Sequence, residues 1–508
     1  MMEVARKGIF HPQFFTMPEL MTIFLAVMLT DIVLLDLYNT FGLPTSTTVS
    51  IVFELLGAAV AVSLVKISHA GIPYTSIVEY INTAKALAII SGILLSVAVA
   101  FTVGALVMFL TRVIFTFDFQ KRVKRYGALW GGLALASIVY FILIKGAKGA
   151  SFITPETLAW IKGHTWLILG MSFVLCAVLL QLMILFSRVN ILKVVVLVGT
   201  FSLAMAFAAN DLVNFIGVPL AGLSAYTIAQ GSGGMLDQTM EALQKPVQAN
   251  TFFLLIAGFV MVVTLWVSRK ARTVTKTELR LGRQEEGLER FEATALSQTI
   301  VRMVAYMFYV VRRIVPPGIR GWIAGRFERA QYRPTPDADG TVPAFDLVRA
   351  SVNLMVASAL ISWATSMKLP LSTTYVTFMV AMGTSMSDQA WGRESAVFRV
   401  TGVLTVIGGW FFTAMMAFTV SSVFAAAISF GGAPAVIGIA CVAGLLILRN
   451  RRTHKSREIE EEAIEVFNLK KIQDSTAAIN LTFEHTGIFL REVSLALSAA
   501  FEGLFEQD

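Results

Sequence analysis

Between Met17 and Arg449 the chain is a succession of apolar runs, near 18–38, 44–65, 83–115, 127–145, 165–187, 191–217, 250–267, 347–366, 370–388, 396–427 and 431–449. Crossing the roughly 30 Å hydrocarbon core of a bilayer takes about 20 helical residues, and most of these runs supply that length. Backbone groups in lipid must be satisfied within their own segment, so the runs are expected to be helices. A barrel would need alternating strands of about ten residues, and the pattern does not offer them. Hydrophobic residues make up 56% of the 508 and charged residues 15%, with a mean hydropathy of +0.72, too much apolar surface for a soluble chain to cover. The expected fold class is an all-α polytopic membrane protein.

The net charge of +8 does not indicate nucleic acid, because the basic residues sit in blocks between apolar runs. Cytoplasmic loops of membrane proteins carry such blocks. The loops at Lys121–Arg125, from Arg269 onward and at Arg449–Lys455 are therefore placed in the cytoplasm. Residues 268–346 read as a long basic loop with one amphipathic stretch, Leu296–Val315, and 450–508 as a cytoplasmic tail with helical pattern at Ile459–Leu469 and Ala477–Phe505. Cys176 and Cys441 both lie in apolar runs and suggest no metal cluster. Walker, HExxH and nucleophile-elbow motifs are missing, and Gly231, Gly233 and Gly234 do not follow a strand, so the sequence does not read as an enzyme.

The chain repeats itself. Leu43-Pro44-Thr45-Ser46-Thr47-Thr48 recurs as Leu369-Pro370-Leu371-Ser372-Thr373-Thr374, an offset of 326 that also brings Gly57 onto Gly383. Further on, Ala100-Phe101-Thr102-Val103 matches Ala417-Phe418-Thr419-Val420. Each Ser-Thr-Thr segment joins two apolar arms, 18–38 to 44–65 and 347–366 to 370–388, which reads as a re-entrant hairpin. Five spans lie between the pairs, and an odd number inverts one copy relative to the other. Inverted-topology repeats are a hallmark of secondary transporters, whose substrate sits near the midplane where the copies meet. The expected organisation is a first repeat over 1–115 with hairpin 18–65, connecting helices over 116–190, a second repeat from 191–267 resumed at 347–449, the basic loop 268–346 between them, and the tail 450–508.

Two groups of polar residues interrupt the apolar runs. Ser46, Thr47 and Thr48, and their counterparts Ser372, Thr373 and Thr374, follow a proline, which suits the first turn of a helix. Unpaired N–H groups, hydroxyls and the helix dipole there could hold an anion without arginine; the plainer reading is that they only cap a helix. Two such ends approaching from opposite sides would enclose a tetrahedral oxyanion. The second group is Asn210, Asp211 and Asn214, in a run of otherwise apolar residues. A carboxylate within the membrane is costly and marks function, and amide and carboxylate oxygens suit a hard cation such as Na+. Gly217-Val218-Pro219 is expected to break the helix beside it. Asp31 and Asp36 lie in the first arm and either could be a second ion or proton group, but Asp36 with Asn39 reads more simply as a hairpin turn and the plain structural reading is preferred for both; the counterpart of Glu54 is Val380, so the repeat gives it no support.

With Asn210-Asp211-Leu212-Val213-Asn214-Phe215-Ile216-Gly217 and the two Leu-Pro-x-Ser-Thr segments, residues 18–449 resemble the inorganic phosphate transporter (PiT) family, which carries an Asn-Asp-x-x-Asn-x-x-Gly motif and a later Leu-Pro-x-Ser-Thr segment in each of two inverted copies. The resemblance implies symport of inorganic phosphate with Na+ or H+, no other cofactor, a homodimer, and residence in a bacterial inner membrane. It also implies phosphate binding by Ser46, Thr47, Thr48, Ser372, Thr373, Thr374, Asn210 and Asn214, and cation binding by Asp211 with Asn210 and Asn214. The chain departs from the pattern at Val49 and Tyr375, where many members have histidine, and its first copy has no Asn-Asp motif. About 80 residues would be expected between such a motif and Leu43, but only 42 precede it, so the first copy is expected to lack its opening half. Another oxyanion such as sulfate, or a receptor role without transport, are the alternatives.

Overall fold

The computed structural model describes residues 2–41, 45–140, 154–186, 190–231, 239–245, 250–268, 313–328, 345–388 without 368 and 370, and 395–466, with scattered positions elsewhere. Its helices are α1 (Met2–Lys7), α2 (Met17–Phe41), α3 (Thr47–Ala70), α4 (Ile77–Tyr80), α5 (Thr83–Phe115), α6 (Phe119–Val139), α7 (Pro155–Gly163), α8 (Thr165–Phe186), α9 (Ile191–Gly231), α10 (Thr251–Val267), α11 (Pro317–Arg326), α12 (Leu347–Ser366), α13 (Thr373–Ser387) and α14 (Ser395–Val466). Among the described residues there are two isolated β-bridges and no strand. Contacts divide the chain into two units, Met1–Arg333 with Ala344–Ile447, and Pro334–Pro343 with Leu448–Asp508; in the second, 448–466 are helical.

Among the described residues, seven helices are long and apolar enough to cross a membrane: α2, α3, α5, α8, α9, α12 and a 55-residue stretch of α14; α10 is shorter. Their burial differs widely, with 72% of the apolar window of α3 buried against 6% for α8. A helix that is apolar all round needs either protein or lipid around it. The arms of the two pairs take the protein, while α8 and α10 present Leu167, Met171, Leu185, Leu255, Phe259 and Trp266 outward.

The local signals explain most ends. Ser46 caps α3 by accepting from Val49 N at 3.2 Å, and Gly71 closes it in the left-handed conformation at φ 63°, where other residues strain. Ser372 caps α13 in the same way, through Tyr375 N at 3.1 Å. Both helices therefore start after their serines, while Pro44 and Pro370, expected in the first turn, lie outside the described residues.

Several boundaries differ from the sequence reading. The helix predicted to stop near 217 runs unbroken through Gly217 and Pro219 to Gly231, because helix interiors in a membrane protein let neighbours satisfy the carbonyl that a proline frees. Asp36 and Asn39 lie inside α2, not in a turn; the helix continues to Phe41, with Thr40 Oγ1 donating to the Asp36 carbonyl at 2.7 Å. The runs 396–427 and 431–449 are separated only by a kink at Gly432, φ 56° and ψ −142°, inside α14. Leu296–Val315 and Ala477–Phe505 fall largely outside the described residues.

The two halves exchange elements. α13 packs on α5, so that a Cβ built on Gly383 would press on the Phe101 carbonyl and stand 3.0 Å from Ala105 N. Reciprocally, a Cβ on Gly57 of α3 would press on the Phe418 carbonyl of α14 and stand 2.6 Å from Ser421 Oγ. Gly57 and Gly383 are repeat mates, and so are Phe101 and Phe418. α3 thus lies against α14 at Gly57 as α13 lies against α5 at Gly383, two crossings between positions that match in the sequence repeat. Glycine at the crossing lets two backbones approach within the width of a side chain. Five helices of more than 15 residues, α5, α6, α8, α9 and α10, separate the pairs among the described residues.

Candidate functional site

α9 is about 60 Å long at 1.5 Å per residue, twice the hydrocarbon thickness, and Asp211 stands at its middle. Asn210, Asp211 and Asn214 share one turn there, and Asn210 and Asn214 are buried. The starts of α3 and α13 both arrive at this turn. From the first copy, Thr47 Oγ1 and Thr48 Oγ1 accept from Asn214 Nδ2 at 3.1 and 2.8 Å. From the second, Thr373 Oγ1 donates to Asp211, 3.0 Å from Oδ1 and 2.9 Å from Oδ2. Asn210 Nδ2 donates to Asp211 Oδ1 at 3.0 Å and reaches the Leu371 carbonyl at 3.4 Å, while Asn214 Nδ2 reaches Asp211 Oδ1 at 3.4 Å.

The predicted residues therefore divide by role. Thr47, Thr48, Thr373, Asn210, Asp211 and Asn214 form one hydrogen-bonded group that links both repeats to α9. Ser46 and Ser372 are caps; each oxygen already accepts one backbone N–H, leaving its single proton to donate elsewhere. Thr374 is half-buried beside the group. Asn214 Oδ1 is buried without a hydrogen-bond partner, so an oxygen next to Asp211 is open to a cation. The dipoles of α3 and α13 place partial positive charge at their starts, which suits an anion. One turn of α9 thus sets hard oxygen donors and two helix starts together.

Sequence reasoning missed the opposite wall. Thr413 of α14 accepts from Thr45 Oγ1 at 3.1 Å and is hydrogen-bonded to Tyr38 of α2. Trp410, one turn earlier, stacks on Tyr375 of α13 with ring centres 3.7 Å apart and planes 17° apart. The starts of α3 and α13 therefore have α9 on one side and α14 on another. In an apolar run a tryptophan or threonine of this kind looks like any other, so only the packing identifies it. A second network was also missed. Arg112 near the end of α5, with no exposed surface, donates to Asp388 Oδ1 at 2.6 Å, Asp346 Oδ2 at 3.0 Å and the Thr116 carbonyl at 3.0 Å. It ties both open ends of the second pair, the start of α12 and the end of α13, to α5. Spacing could not show it, since 112, 346 and 388 are far apart in the chain.

A polytopic helical protein with paired arms meeting a polar turn at the centre of a long helix has the build of a membrane transporter. The family model for the phosphate transporter family matches residues 1–277, more than half of the chain, and the chain belongs to that family. It is an integral membrane phosphate transporter, in a family of transporters and not of enzymes. Among solved structures it is similar to one described as "The sodium-dependent phosphate transporter", with a TM-score of 0.55 and 15% identity over 85% of each chain, which shows a shared fold. A search of the curated proteins finds no match. The family match spans the first Ser-Thr-Thr segment and the Asn-Asp turn; the second segment lies beyond it and is placed by the structure.

Proposed function

We propose that the chain moves inorganic phosphate together with Na+, and that the two meet where both Ser-Thr-Thr segments touch the Asn210–Asn214 turn. The observation that carries this reading is that Thr47 and Thr48 from one copy and Thr373 from the other bond to the same turn of α9. Asp211, Asn210 and Asn214 are the cation ligands in this reading, with Asn214 Oδ1 as a ready donor. Phosphate is cradled by the starts of α3 and α13, through Ser46, Thr47, Thr48, Ser372, Thr373 and Thr374, with Asn210 and Asn214 at its edge.

Thr373 has one hydroxyl proton, and it is given to Asp211. While that bond stands, the hydroxyl cannot also donate to phosphate, so the anion draws on the backbone N–H groups at 373 and 374 and on the Thr374 hydroxyl. A Na+ ion at Asp211 would take over that carboxylate and free the Thr373 proton for phosphate. This gives coupling a concrete form: cation first, then anion. The Na+ assignment draws support from the name of the similar structure. The pairs act as inverted re-entrant hairpins, the protein works as a homodimer in a bacterial inner membrane, and its basic loops face the cytoplasm.

The test is uptake of radiolabelled phosphate into liposomes holding the purified chain, with Na+ replaced by K+ and with sulfate in competition. Uptake driven by Na+ and indifferent to sulfate is expected. Uptake that persists unchanged in K+ would refute Na+ coupling, and inhibition by equimolar sulfate would refute selectivity for phosphate.

A further inference from the structure

A second acidic group lies away from the Asn210–Asn214 turn, in the arms of the first hairpin. Glu54 of α3 has no exposed surface, and its Oε1 accepts from Ser50 Oγ at 2.6 Å. Its Oε2 is buried with no hydrogen-bond partner. Asp31 on the facing arm α2 acts electrostatically on Glu54, and Asp31 Oδ1 is likewise buried and unpartnered. Thr30, fully buried next to Asp31, has a hydroxyl oxygen with no partner. Three orphaned oxygens on facing arms, two of them from carboxylates, are costly inside a membrane unless something binds them.

The repeat sharpens the point. At the offset of 326, Asp31 and Glu54 fall on Ala357 and Val380, which are buried at the matching place in the second pair. Packing there needs only apolar side chains, as the second copy shows, so structure alone does not call for an acid pair in the first. Among the described residues, the basic groups on neighbouring elements are Arg6 and Lys7 on α1, Lys66 further along α3, Lys193 on α9 and Arg399 near the start of α14, the acidic ones are Glu3, Glu19, Asp36, Glu79 and Asp211, and no ion pair joins a basic group to Asp31 or Glu54. Of these, Lys66 is engaged with Glu19 at 2.8 Å and Lys7 with Glu3 at 3.7 Å.

We infer that Asp31, Ser50 and Glu54 form a second Na+ site, separate from the one at Asp211. The donor set is all oxygen and anionic, which is what a hard monovalent cation takes. Its position gives it a use. Ser50 and Glu54 follow Thr48 on α3 within two turns, and Thr48 holds Asn214. A cation bridging α2 and α3 would lock the first hairpin's arms together and steady its Ser-Thr-Thr start against α9. The first copy shows no Asn-Asp motif of its own within these 508 residues, and this pair supplies that copy with a cation site in another place. The inference rests on the reading of the chain as a Na+-coupled phosphate carrier.

The experiment is equilibrium binding of radioactive Na+ to the purified full chain without phosphate, on the wild type and on Glu54→Gln, Asp31→Asn and Asp211→Asn, alongside phosphate uptake as Na+ is varied. Glu54→Gln and Asp31→Asn should each lose one Na+ that Asp211→Asn keeps. Ser50→Ala, a milder change, should raise half-saturating Na+ about tenfold, as expected for one lost contact to a charged group. Wild-type Na+ binding in folded Glu54→Gln or Asp31→Asn overturns the site. So does a changed pH dependence of uptake with unchanged Na+ binding, which would make the pair a proton carrier. If the wild type binds Na+ through Glu54 but takes up no phosphate, the site stands and the transport reading falls.

Discussion

The exchange of arms between the two halves makes a prediction in matched pairs. Gly57→Ala would put a methyl group 2.6 Å from Ser421 Oγ and 2.9 Å from the Phe418 carbonyl carbon. Gly383→Ala would put one 3.0 Å from both Ala105 N and the Phe101 carbonyl carbon, and in each case the carbonyl oxygen is closer still. Most of these neighbours are backbone atoms of a long helix, so they cannot swing away as a side chain would. At Gly57 the change also disturbs two hydrogen bonds from α14, Ser421 Oγ to the Glu54 carbonyl and Ser422 Oγ to the Gly57 carbonyl, at 2.8 and 2.9 Å. Overpacking of this kind costs about 1–3 kcal/mol, or more where backbone must move. Gly92 and Gly170 are helical glycines with nothing within 4 Å of an added Cβ, so alanine there should be neutral or should gain up to about 1 kcal/mol. The assay is the midpoint of thermal aggregation in detergent for all four variants, with phosphate uptake on the same preparations. Both crossing variants should lose stability by similar amounts, and both controls should not. A stable, active Gly57→Ala beside a crippled Gly383→Ala would refute the reciprocal packing.

Three further outcomes follow from the site and its supports. Asp211→Asn should fold and insert but lose Na+-driven phosphate uptake, because a neutral amide fills the space without balancing a cation; normal Na+ dependence in this variant would remove Asp211 from coupling. Thr373→Val removes the hydroxyl that bonds both Asp211 oxygens, and the apparent phosphate KM should rise roughly tenfold or more at equal expression, in line with about 1.5–3 kcal/mol for a bond to a charged group; an unchanged KM would return the segment to a capping role. Arg112→Met removes the buried ion pairs to Asp346 and Asp388 and should destabilise by about 3–5 kcal/mol, seen as a lower yield of folded protein, whereas Arg112→Met combined with Asp346→Asn and Asp388→Asn should recover much of it.

How much of this could be read from the sequence follows from the range of the forces involved. The helices at Thr83–Phe115 and Leu347–Ser366 fall where the apolar runs put them, because length and hydropathy act locally. Ser46, Ser372 and Asn82 cap their helices through bonds to residues three positions on, again a local matter. The Asn-Asp turn and the two Ser-Thr-Thr segments were visible because a polar group in an apolar run is costly enough to stand out. The stop expected at Pro219 was wrong because a proline's missing hydrogen bond can be absorbed by the surroundings of a membrane helix.

That the chain is helical, that it enters the membrane and that two stretches share a motif each follow from composition or from spacing along the chain. What meets what is a matter of the folded packing. It brought Thr47 and Thr373, 326 residues apart, to one turn of α9, set Trp410 and Thr413 opposite them, and joined Arg112 to Asp346 and Asp388. It also left Asp31 Oδ1 and Glu54 Oε2 buried without a hydrogen-bond partner. Partners so distant in the chain leave no local spacing to read, because their pairing is set by how whole helices pack and not by their neighbours in sequence.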